Sequence, residues 1–71
     1  MSEVESRVTA FLLTNHRVEG HDTLTIAKAV FGPDAIQKQA NLVLYNMQKR
    51  GLVRNLTPGK RGHWVVVVQR R

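Results

Sequence analysis

The stretch "QKQANLVLYNMQKRG", residues 37–51, carries an apolar stripe and a polar face on one segment. Ala40, Val43, Leu44 and Met47, with Ile36 just ahead of them, recur at helical spacing. Lys49 and Arg50 suit the negative end of a helix dipole, and Gly51 suits the position just past it. A helix from about Asp34 to Arg50 is expected. At about 100° per residue, Tyr45 falls roughly 150° from the centre of the stripe, Asn41 roughly 110° and Lys38 roughly 170°. Gln37 and Gln48 flank this outer face. The chain therefore turns its only tyrosine toward water, one helical turn from an asparagine and beside a lysine.

The segments on either side define the framework that carries this helix. Upstream, Ser2 and Glu5 have capping-box spacing, and Val4, Val8, Phe11 and Leu12 make one stripe, predicting a first helix that ends near Asn15. "HRVEGHD" reads as a polar turn around Gly20. Thr23 is the expected cap of a short second helix whose buried face is Leu24, Ala27, Val30 and Phe31. "FGPD" ends it, through Gly32 and Pro33. Downstream, "LVRNL" and "HWVVVVQ" are rich in β-branched and aromatic residues and read as two strands joined by the turn "TPGKRG". In the second strand Trp64, Val66 and Val68 point one way, Val65 and Val67 the other. Helix, turn, helix, helix, hairpin in 71 residues is an α+β chain on the winged helix-turn-helix plan, a single domain over residues 1–71. The third helix takes the recognition position and "TPGKRG" the wing.

Charge gives this plan a polarity. The net charge is +6, but residues 1–33 hold four acidic against three basic side chains, while residues 34–71 hold eight basic against Asp34 alone. A one-sided basic half is the footprint of a polyanion binder, whereas an evenly solubilising surface has no need of the asymmetry. The absence of cysteine excludes disulfides and thiolate metal sites. His16, His21 and His63 lack the spacing of a zinc site, and no nucleophile triad or phosphate loop is present. Neither an enzyme nor a cofactor is expected. No apolar run approaches the roughly 20 residues that span a bilayer, and no signal-peptide pattern is seen, so no membrane partner and an intracellular location, cytoplasmic or nuclear, are expected.

Tyr45 has two structural readings, as a ring lying over a neighbouring element or as a ring offered to a ligand. Trp64 likewise either caps the core or braces Tyr45 edge-to-face with its indole N–H free for an acceptor. Asn41 and Lys38 are of the types that bind phosphates and base edges, and a tyrosine offers a face to a base.

On these residues the chain resembles the Zα domains, winged helix-turn-helix modules that bind left-handed Z-form DNA and RNA. The likeness lies in Asn41-x-x-x-Tyr45 on the third helix and Trp64 after the turn, with "ANLVLYNMQKRGLV" similar to the family's signature helix and following strand. It implies that the Tyr45 ring contacts a guanine in the syn conformation. It also implies that Asn41 binds the phosphate backbone, and that Trp64 braces the tyrosine and reaches phosphate through water. The family's basic pair before the asparagine corresponds to Gln37 and Lys38, of which only Lys38 is charged. Leu42 stands where arginine is common, so that phosphate contact is not expected. Arg61-Gly62 stands where well-studied members have two adjacent prolines, with Pro58 the only proline nearby, and Lys60 and Arg61 offer charge in place of that shape. "FGPDAIQ" is a few residues longer than the family's turn. The resemblance further implies double-stranded partners of alternating CG sequence, room for two domains on one duplex, and a parent protein acting in viral antagonism or innate immunity. Two other functions fit a winged helix: reading right-handed DNA in the major groove, and binding a protein with Tyr45 and Trp64 as anchors.

Overall fold

Ser2 starts the first helix as its spacing predicts. Its hydroxyl accepts from the Glu5 N–H (3.2 Å) and its own N–H donates to Glu5 Oε1 (2.9 Å), closing the capping box of α1, Glu3–Thr14. That bond from the Ser2 backbone, with the Arg50 guanidinium beside it, holds the Glu5 carboxyl below its ordinary pKa. Arg50 and Glu5 also form an ion pair between the end of the third helix and the start of α1. The computed structural model describes residues 2–57 and 62–67 of the chain.

"HRVEGHD" is not wholly a turn. His21–Asp22 form β1, a two-residue strand that runs directly into α2, Thr23–Phe31. Asp22, not Thr23, caps that helix, its carboxylate accepting from the Thr25 N–H at 2.7 Å. The extended backbone of Asp22 (φ −72°, ψ 163°) brings its carboxylate over the first turn, and Thr23 becomes the first helical residue. The buried face of α2 is accordingly Thr23, Ile26, Ala27 and Val30. Leu24 is only partly buried and Phe31 is 39% exposed, because the face follows i, i+3, i+4, i+7 from Thr23 and they fall on its margin.

Gly32, at φ 119°, ends α2, and the Ala35 N–H closes a turn onto the Gly32 carbonyl at 3.0 Å. This turn occupies Pro33 and Asp34, so α3 spans Gln37–Lys49 instead of starting at Asp34. Ile36 is extended at the helix entrance, its N–H held by Gln39 Oε1 at 2.9 Å, and is 57% exposed instead of joining the stripe. Arg50 lies just past the last helical residue. Gly51 adopts φ 75°, and the bonds Gly51 N–H to Gln48 O (3.0 Å) and Leu52 N–H to Met47 O (2.9 Å) make a Schellman closure.

The closure delivers the chain into β2, Val53–Asn55, which pairs antiparallel with β3, His63–Val66. On its other edge β3 pairs with β1, giving a three-stranded sheet in the order β1-β3-β2. Trp64 thus sits on the central strand, opposite His21 on one side and Asn55 on the other. Val68 and residues 58–61 of the expected wing turn lie outside the described residues. At the base of the hairpin the Thr57 N–H donates to Asn55 Oδ1 (2.9 Å) and the His63 N–H to Thr57 Oγ1 (3.2 Å).

One core joins the layers: Val8 and Leu12 of α1, Ile26 of α2, Ala40, Leu44 and Met47 of α3, and Val53 and Trp64 of the sheet. Val4, Phe11, Val43 and Val66 lie partly buried against it. The architecture is α+β, three helices and a small antiparallel sheet in the winged helix-turn-helix layout. Among the described residues no helix is long and apolar enough to cross a membrane.

Candidate nucleic-acid interface

The stripe of α3 dictates what its outer face presents. With Ala40, Leu44 and Met47 buried, Tyr45 is 52% exposed. Asn41 is partly exposed, while Gln37, Lys38, Gln48 and Lys49 are exposed. Leu42, next to Asn41, is 70% exposed. Over about three turns α3 therefore offers an ammonium, an amide, an aromatic ring and a second ammonium, Lys38, Asn41, Tyr45 and Lys49, on one side of the helix. Among the described residues the ion pairs join Arg7 to Glu3, Arg17 to Glu19 and Arg50 to Glu5, and neither Lys38 nor Lys49 takes part.

The tyrosine is held from behind. Its ring stands against the Trp64 indole with centroids 5.8 Å apart and planes at 87°, the edge-to-face arrangement expected for a bracing pair. Trp64 is itself 1% exposed. Both structural readings of the tryptophan therefore apply together: it is core on one side and support for Tyr45 on the other.

One expectation about Trp64 is corrected. Its indole N–H is not free for an outside acceptor; it donates to Thr23 Oγ1 at 3.0 Å in the interior. The cause is the strand pairing that sequence patterning misses. Pairing His21 with Trp64 brings the following residues of β1 and α2 alongside the indole, and Thr23, relieved of capping by Asp22, has its hydroxyl available. A buried indole N–H without a partner would be costly, and the threonine supplies one.

Two glycines allow the fit. A Cβ on Gly62 would lie 2.7 Å from Trp64 Nε1 and 3.0 Å from Trp64 Cε2. A Cβ on Gly20 would lie 2.9 Å from the Trp64 carbonyl oxygen, and Gly20 also adopts φ 75°. Backbone thus approaches the tryptophan where no side chain fits. Lys60, Arg61 and Pro58, the expected wing contacts, lie outside the described residues. Of the other expected contact residues, Lys38, Asn41 and Tyr45 share the outer side of α3 with Gln37 at its rim, and Trp64 joins them from β3 as a buried support.

The chain matches no protein-family model, no curated protein and no solved structure. What fold and site define is a winged helix-turn-helix domain whose third helix presents a braced tyrosine within a polar, cationic face.

Proposed function

We propose that this domain binds double-stranded DNA or RNA in the left-handed Z form and stabilises that form. The observation that carries the proposal is the Tyr45–Trp64 pair: a half-exposed ring set edge-on against a buried indole, one helical turn from Asn41 and about two turns from Lys38 on the same face of α3. A ring held in this way contacts a base without first losing freedom of its own. In the Z form alternate bases are syn, and a syn guanine exposes a surface that right-handed duplexes keep covered. The zigzag backbone brings phosphates of the two strands close together, so fixed cations and amide donors favour it over the right-handed form. Asn41 and Lys38 supply such groups on α3, and Lys60 and Arg61 follow in the wing sequence. Recognition of this kind reads shape more than sequence, with alternating CG preferred because it adopts the Z form most readily. The resemblance to Zα domains supports the same function, acting within a viral or innate-immune protein.

The test is a binding comparison at fixed salt. One alternating CG duplex is held left-handed by bromination of guanine C8, which favours syn; the other duplex is AT-rich, non-alternating and right-handed. The brominated duplex should bind the domain on the order of 10⁴-fold more tightly, about 5.5 kcal/mol. Equal affinity for both contradicts the proposal and favours an ordinary major-groove winged helix.

A further inference from the structure

We infer that Thr23, buried against the Trp64 indole, is a positioning residue for the outer face of α3: its hydroxyl sets the rotation of the indole, and the indole sets the Tyr45 ring. The inference rests on the function proposed above only for its effect on binding; the effect on the two rings stands without it.

The geometry carries it in three links. Thr23 is 7% exposed and its Oγ1 accepts the Trp64 indole N–H at 3.0 Å, so the bond is shielded from water. Among the described residues no buried side-chain nitrogen or oxygen lacks a partner, so no unpaired buried side-chain acceptor competes with Thr23 for the indole N–H. The Tyr45 ring then stands at 87° to that indole, and a tilted indole would offer it a different surface. Gly62 narrows the choice further. Its Cα lies close enough to the indole that an added Cβ would come within 2.7 Å of Nε1, so backbone covers the nitrogen end of the ring while Thr23 holds the same nitrogen by its proton. A hydroxyl on the first turn of α2 is thus coupled to a ring on α3 through the central strand.

A merely structural role for Thr23 would lower stability without singling out Tyr45. The substitutions Thr23→Val, which keeps the branched shape but removes the acceptor, and Thr23→Ser, which keeps the acceptor, separate the two. Trp64 and Tyr45 are the only tryptophan and tyrosine in the chain, so their NMR signals are unambiguous. In the free Thr23→Val domain the indole proton should exchange with water faster and the Tyr45 ring signals should shift. Affinity for brominated alternating CG duplex should fall about tenfold, as loss of one buried hydrogen bond allows. Thr23→Ser should restore all three. In a Tyr45→Ala background Thr23→Val should cost no further affinity, the signature of two residues acting as one unit. The inference is overturned if Thr23→Val costs the same affinity with and without the tyrosine ring. It is also overturned if the Tyr45 signals do not move, or if Thr23→Ser loses as much as Thr23→Val. A wild-type domain that ignores left-handed duplex defeats the proposed function instead, and the ring signals of the free protein still decide the positioning.

Discussion

Tyr45 is 52% exposed while the tryptophan behind it is 1% exposed, and this difference separates what each substitution should do. Removing the Tyr45 ring takes little from the core, so Tyr45→Ala should keep the fold while losing about 1–3 kcal/mol of binding to alternating CG duplex, the usual worth of a ring–base contact. Asn41→Ala should behave in the same way, with a smaller loss suited to hydrogen bonds alone. Thermal unfolding and titration of the same samples check both; a Tyr45→Ala domain that unfolds early yet binds normally per folded molecule makes the ring a core element. Trp64→Ala, by contrast, should lower stability by about 3–5 kcal/mol, typical of an emptied aromatic site, and weaken binding as well. A small domain has about 5–15 kcal/mol in total, so calorimetry should find this variant near its limit at room temperature. Normal binding by whatever fraction remains folded would remove Trp64 from the support of Tyr45.

At the scale of elements, the outcome depends on how far each signal extends along the chain. The Ser2–Glu5 box, Gly51 and the stripe are local patterns: α1 starts at that box, α3 closes at that glycine, and of the stripe Ala40, Leu44 and Met47 are buried and Val43 partly so, while Ile36 is exposed at the helix entrance. So the outward side of α3 was legible, and with it the grouping of Lys38, Asn41 and Tyr45. What was not legible depends on contacts distant in sequence. A two-residue strand has no period to detect, so β1 read as part of a turn; only its pairing with Trp64, more than 40 positions away, creates it. The same pairing turned Thr23 from an expected cap into the partner of the indole, at a sequence distance of 41. The start of α3 differs from the expected Asp34 for a nearer reason: the Ala35–Gly32 bond closes Pro33 and Asp34 into a separate turn. Gly20 belongs to this scale. Its φ of 75° and the 2.9 Å approach of a Cβ to the Trp64 carbonyl mean that Gly20→Ala disturbs the β1–β3 pairing. It should cost more than Gly51→Ala, which shares φ 75° but meets nothing within 4 Å and should lose about 1 kcal/mol. Equal melting temperatures for the two variants would mean that the β1–β3 junction yields without cost.

Across the whole molecule the basic half of the sequence includes the face that Tyr45 occupies, and attraction to phosphate should therefore depend on salt. Lys60→Ala and Arg61→Ala should each reduce the slope of log affinity against log salt by up to about one unit, while leaving the preference for left-handed over right-handed duplex nearly intact. Unchanged slopes would direct the wing away from the nucleic acid. Conformational preference is the more demanding property. To move an alternating CG duplex from about 1:99 to about 99:1 in favour of the left-handed form, the domain must bind that form roughly 10⁴-fold more tightly, about 5.5 kcal/mol. A braced ring on a syn base, a neighbouring amide and several cations on one zigzag backbone are together of that order.

The most direct measurement is a circular dichroism titration of the domain into alternating CG duplex at low salt, following the long-wavelength bands of the nucleic acid. The bands should invert as the domain is added, should stay right-handed with Tyr45→Ala, and should not invert for a non-alternating AT-rich duplex. Saturating, tight binding to the CG duplex with its right-handed spectrum unchanged would contradict the account.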